Sequence, residues 1–290
     1  FSDLGVAYIE GGWPTPRNPI DREFFRKIAR ARLKARIAVF GSTRRKGVTC
    51  AKDPLLRDLA HTEAGAATLF GKSWDLHVTD VIRTSLGENL DMIGESIAYV
   101  RKYKDEVFFD AEHFFDGYRH NREYALSALR VAREAGAACL VLCDTNGGML
   151  PHEVQAIVRD VRNSLEGPIG IHTHNDAGVG VANALAAVRA GCTQVQGTIN
   201  GIGERVGNCD LVTTLANLKL KMNDDCVSDE QLRNLTELSR YVFEIANLTL
   251  DIRHPYVGQA AFAHKGGIHV AAILKVEESY QHIDPARVGN

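Results

Sequence analysis

The sequence predicts an α/β fold: a (β/α)8 TIM barrel whose first strand lies outside the chain, followed by a small, mostly helical subdomain. Three observations carry this expectation. Short apolar runs recur about every 30 residues, a spacing that fits one strand plus one helix. Stretches of helical period separate them. The junction into the strand also repeats, as "LGVAYIE", "AGAATLF", "AGAACLV" and "AGCTQVQ", each with a Gly placed to end a helix. Strands apolar on both faces that alternate with helices belong to a parallel sheet covered by helices.

Taken in order, "FSDLGVAYIEGG" opens in the last turn of a helix that Gly5 stops, and the strand Val6–Glu10 follows. Further strands are expected at Arg36–Phe40, Ala66–Phe70, Val107–Asp110, Cys139–Cys143, Ile169–His172 and Thr193–Thr198. Helices are expected over 121–137 and 150–167, the second with Pro151 in its first turn and Gly167 at its end. Seven units preceded by a helix end restore to eight, the barrel number. An open doubly wound sheet would more often carry a glycine-rich nucleotide fingerprint after its first strand. "GIGERVGN" follows the last strand and lacks the GxGxxG spacing.

After Met222 the repeat ends, which divides the chain into a barrel over 1–224 and a subdomain over 225–290. A helix is expected over 228–248 with Ser228 as its N-cap. "RHPYVGQAAFAHKGGIHVAAILK" then leaves the repeat altogether. With no initiator Met and no closing element in "ARVGN", the sequence reads as an internal piece of a longer protein.

With 34 Lys+Arg against 36 Asp+Glu, nothing in the charge points to nucleic acid or an anionic membrane. The six cysteines form no CxxC pair and read as small hydrophobes in a reducing cytosol. No apolar stretch approaches the ~18 residues of a membrane span, and no signal segment opens the chain. A soluble, cytoplasmic protein is expected.

Functional groups of a parallel barrel collect at the C-terminal ends of its strands. Those ends carry Glu10, Arg44 and Arg45, Lys72 with Asp75 and His77, Asp110 with Glu112 and His113, Asp144-Thr145-Asn146, His172 with His174, and the Asn200–Asn208 segment. In "IGIHTHND", His172 and His174 stand two residues apart and so face the same side of a strand. They read as metal ligands, or as hydrogen-bonded histidines that support a loop. Asn208 adds a neutral oxygen donor to the metal reading, and such a set suits Mn, Mg, Zn or Co with open positions for a chelating substrate. Glu112 shares a face with Asp110 and reads as a proton relay or as the ion-pair partner of Arg44 or Lys72. The Thr145 hydroxyl can bond a substrate carboxylate. In "HKGGIH", His264 and His269 flank Gly266-Gly267, as a loop detail or as a base delivered from a mobile subdomain.

Together "IHTHND", "NGIGERVGN" and "HKGGIH" resemble the metal-dependent acyl-CoA condensing branch of the barrel metallolyases, which holds isopropylmalate, homocitrate and citramalate synthases. "FGSTRRKG", "FGKSWDLHV", "FDAEHFFDGY", "LVLCDTNGG" and "YQHIDPARVGN" are similar to the citramalate synthases of the isopropylmalate-synthase-like type. The resemblance covers essentially the whole chain. It implies that His172, His174 and Asn208 bind a divalent cation together with an Asp of the first strand. An Arg of that strand would stabilise the developing alkoxide, and both precede Phe1. It implies condensation of acetyl-CoA with pyruvate to (R)-citramalate and CoA on the way to isoleucine. His269 would be the base, assisted by Glu112 and supplied by the partner subunit of a homodimer. Thr145 and His77 match substrate contacts, and Glu10 matches a rim glutamate. Nothing in the chain corresponds to the family's C-terminal regulatory domain. The rival readings are a sister synthase using 2-oxoisovalerate or 2-oxoglutarate, a retro-aldol lyase on a related barrel, and a non-catalytic fragment.

Overall fold

The computed structural model describes residues 1–15 and 17–290 and divides into two compact units, residues 7–196 and residues 1–6 with 197–290. This division differs from the 1–224 and 225–290 boundaries expected from the repeat.

The first unit is a seven-stranded, all-parallel sheet. Its strands are β1 (Tyr8–Glu10), β2 (Arg36–Ser42), β3 (Ala66–Lys72), β4 (Glu106–Glu112), β5 (Cys139–Asp144), β6 (Ile169–Thr173) and β7 (Gln194–Gln196). Each pairs with its neighbour in sequence. Sequential parallel order is that of a (β/α)8 barrel; a doubly wound sheet would reverse it at a switch point. The helices between strands are α1 (Pro19–Ile28), α2 (Pro54–Ala60), α3 (Leu86–Val100), α4 (Phe114–His120), α5 (Arg122–Glu134), α6 (Pro151–Ser164) and α7 (Gly180–Arg189).

Burial explains why the strands read as apolar on both faces. All six residues of β5 are buried. One face joins Ala38, Ala66, Phe108, Cys139, Val141 and Cys143 in a single cluster. The alternate residues Val39, Leu69, Phe109, Leu140, Leu142 and Ile171 are fully shielded. Fully burying such a side chain is worth about 1.5–3 kcal/mol, so a one-residue slip of any strand would be costly. Local signals fix the helix starts: side chains of Asn18, Asp53, Ser85 and Asn121 accept backbone N–H groups at the N-termini of α1, α2, α3 and α5.

Two expectations on local structure need correction. Gly5, Gly136 and Gly191 adopt left-handed φ of 91°, 98° and 106° behind their helices, but Gly65 does not. Helix α2 already ends at Ala60, so Gly65 belongs to the approach to β3. The helix expected over 228–248 is two helices, α9 (Asp229–Leu232) and α10 (Leu235–Ile245) in chain order after α8 (Leu211–Lys221). Gly289 packs so closely on the Arg233 carbonyl that a Cβ there would lie 2.1 Å from the oxygen, and Thr236 Oγ1 donates to Val288 O at 2.7 Å. The C-terminal turn thus occupies the break. Ser228 does cap α9, with Gln231 returning a bond to its backbone.

The second unit has its own core, in which Leu4, Val212, Leu215, Leu232, Leu235, Val257 and Val288 meet. Its last helix is α11 (Gly267–Ile273). Among the described residues no helix is long and apolar enough to cross a membrane. Five cysteines are buried and Cys226 is exposed.

Candidate active site

His172 lies near the C-terminal end of β6 and His174 directly beyond it, their ring centroids 5.3 Å apart. The register of β6 with β7 sets His172 beside Gln196. His172 Nδ1 lies 2.9 Å from Gln196 Oε1, and Gln196 Nε2 donates to Asp110 Oδ1 at 3.0 Å. Burial lowers the His172 pKa, against the Gln196 hydrogen bond, which favours the neutral ring that metal ligation requires. Burial, with the Glu10 charge nearby, holds the Asp110 carboxyl well above the usual carboxylate range, and the Gln196 amide opposes this. Glu10 is solvent-accessible at the end of β1, yet its carboxyl is crowded by the sheet, which raises its pKa; the Thr68 hydroxyl acts the other way.

Asn208 belongs to the second unit, on the loop between β7 and α8. Its Oδ1 is buried and accepts no hydrogen bond there, so the oxygen is available to a ligand. Among the described residues no three His, Cys, Asp or Glu side chains converge as a metal cluster. The donors that each unit presents, two imidazoles in one and an unengaged amide oxygen in the other, have the chemistry a divalent ion accepts.

A second group sits beyond β3, β4 and β5. Lys72 and Glu112, register partners on β3 and β4, form an ion pair, one of the two alternatives for Glu112. His77 opens a π-helical turn (His77–Val81), stacks on Trp74 at 5.1 Å and lies 4.2 Å from the His113 ring. Burial lowers the His77 pKa, and the charges of His113 and Lys72 add to this. His113 is held at a left-handed φ of 55°, a conformation that concentrates at functional sites. Its N–H donates to Thr145 Oγ1 at 2.9 Å, and its Nδ1 lies 3.2 Å from Asp116 Oδ2, which also accepts from Asn146 Nδ2. Thr145, His77 and Glu112 therefore stand on neighbouring strand ends. Arg44 and Arg45 instead serve the periphery: Arg44 is buried against Glu88 and Glu95, and Arg45 bonds Asp53.

His269 lies on α11, exposed, stacked on Tyr280 at 4.2 Å with His264 at 6.1 Å. The sequence reading passed over Gln196, Trp74 and Asp116. Asp116, three residues after His113 in the first turn of α4, lay within local reach of it; nothing local marked Gln196 as the neighbour of His172.

Comparison with known proteins agrees with this architecture. An HMGL-like family matches residues 1–242, and a homocitrate synthase post-HMGL domain-like family matches residues 256–290. The (R)-citramalate synthase of Geobacter sulfurreducens is 52% identical over 100% of this chain and 55% of its own length. The homocitrate synthase AksA of Methanopyrus kandleri is 36% identical over 100% of this chain and 69% of its own. The chain thus spans about half the length of the citramalate synthases it matches. The hydroxymethylglutaryl-CoA lyase of Pseudomonas aeruginosa, 17% identical, superposes with a TM-score of 0.70 over 95% of this chain and 89% of that one, and shows the same barrel fold. With more than half its length matched, the chain belongs to the HMGL-like family.

Proposed function

We propose that this chain is the catalytic part of an enzyme that condenses acetyl-CoA with pyruvate to give (R)-citramalate and free CoA, a step towards isoleucine. The observation that carries the reading is the contrast across the whole chain between 52% identity to a citramalate synthase and 36% to a homocitrate synthase.

The site residues fit this chemistry. A divalent ion on His172 and His174, with Asn208 as oxygen donor, would polarise the keto group of pyruvate. His269 takes a proton from the acetyl methyl group, and the enolate carbon bonds to the keto carbon of pyruvate. The former keto oxygen gains a proton and becomes a hydroxyl. Water then cleaves the thioester, which releases CoA as the thiol and leaves the second carboxylate. Glu112, held by Lys72, assists the proton transfer; Thr145 and His77 contact the substrate, and Glu10 lines the rim. Because α11 is exposed, His269 suits delivery from the partner subunit of a homodimer in the cytoplasm.

The test is free-thiol release by the full-length protein with acetyl-CoA and a panel of 2-oxo acids. Pyruvate is expected to react fastest, since one added methylene in a tight pocket typically costs ~1–3 kcal/mol. A preference for 2-oxoisovalerate would move the protein to the isopropylmalate branch, and no reaction with any member would refute the condensation.

A further inference from the structure

A metal-ligating histidine must present the ring nitrogen that lacks a proton, and a neutral imidazole has two tautomers to choose between. In this chain the choice has a visible cause. Gln196 stands between His172 and Asp110 and engages each with one end of its side-chain amide. The Nε2 amide of Gln196 donates to Asp110 Oδ1 at 3.0 Å. That leaves the carbonyl Oε1 facing His172 Nδ1 at 2.9 Å. A carbonyl oxygen cannot donate, so Nδ1 carries the proton and Nε2 keeps its lone pair. Asp110 is 5% exposed, which keeps water from competing for the amide. The three residues lie on β4, β6 and β7, and the His172–Gln196 pair is part of the β6–β7 register, so the backbone itself holds the arrangement.

We propose that Gln196 is a positioning residue that reads Asp110 and fixes His172 in the tautomer with Nε2 free for a divalent cation. The inference rests on the metal reading above. It gives Asp110 a role that is neither ligand nor acid: it sets the direction of the Gln196 amide. Second-shell partners of this kind are typically worth about 10- to 100-fold in metal affinity.

The experiment is a Mn²⁺ titration of the full-length protein without substrate, followed by electron paramagnetic resonance, for wild type, Gln196→Leu, Asp110→Asn and His172→Ala. Gln196→Leu is expected to bind about 10- to 100-fold more weakly than wild type. Asp110→Asn is expected to weaken binding less, because an asparagine amide can face Gln196 with either its oxygen or its nitrogen. His172→Ala marks the loss of a ligand. If wild type takes up no Mn²⁺, the metal reading falls and this proposal with it. If wild type binds and Gln196→Leu binds equally well, the proposal alone is overturned. Should Gln196→Leu fail to fold, ¹⁵N–¹H correlation of the histidine rings in metal-free wild type decides the matter. A proton on His172 Nδ1 is expected, and a proton on Nε2 overturns the assignment.

Discussion

Two histidine pairs in this chain have similar spacing and opposite surroundings. His172 and His174 are 5.3 Å apart at the end of a strand, the first tied to Gln196 and the second only 8% exposed. His264 and His269 are 6.1 Å apart at and before α11, where Ile268 and Leu274 are 81% and 82% exposed. His172 is held by strand register and the His174 N–H by the Asp144 carbonyl, so folding has already met the ordering cost of the proposed ligand pair. The second is held by little beyond a ring stack on Tyr280. Groups that bind throughout a reaction gain from being fixed, whereas a base that must approach and withdraw can sit on an exposed helix.

That contrast can be broken at defined points. The largest effect is expected at Gly203, where a Cβ would lie 2.1 Å from Asn208 Oδ1. Gly203→Ala must push the amide oxygen aside, and a loss of at least about 10-fold in Mn²⁺ affinity is expected by titration, as for other disturbances of metal-ligand positioning. Unchanged affinity would refute the proposal that Asn208 is a metal donor. A smaller and different effect is expected at Lys104, close before β4 and thus at the opposite end of the strands from the site. Its Nζ donates to Thr62 O at 2.6 Å, Thr62 Oγ1 at 3.0 Å and Ala64 O at 2.9 Å. Lys104→Met orphans these acceptors and should cost about 1–3 kcal/mol in urea unfolding, with Mn²⁺ affinity intact. A parallel loss of affinity would mean that the rim is not insulated from overall stability.

The smallest effect concerns pH. Burial, reinforced by His113 and Lys72, depresses the His77 pKa below its ordinary 6.5. The unfolded chain therefore takes up this proton first as pH falls, and stability from this group is full above pH 6.5 and declines below it. His77→Gln should flatten that part of the stability profile measured in metal-free buffer. An identical acid decline in the variant would assign it to other groups.

The sequence exposed the repeat because the central strands bury both faces and α1, α2, α3, α5 and α6 announce their starts with a capping side chain or Pro. His172 and His174 were legible for a related reason: period two puts both on one face. The link from His172 through Gln196 to Asp110 was not, since it joins positions 172, 196 and 110 through the registers of three strands. The α9–α10 break was hidden because what fills it is Gly289, 56 residues further on from Arg233. Short-range patterns report local geometry, and contacts made by the returning chain lie outside their reach.

The most direct test of the division between a fixed binding pair and a delivered base compares His172→Ala with His269→Ala in the full-length protein, measuring Mn²⁺ affinity and thiol release with acetyl-CoA and pyruvate. Both variants should lose activity, by about 10²- to 10⁴-fold for removal of a general base. Only His172→Ala should lose Mn²⁺ binding. A His269→Ala protein that stays active, or that loses Mn²⁺ as severely as His172→Ala, would contradict the account.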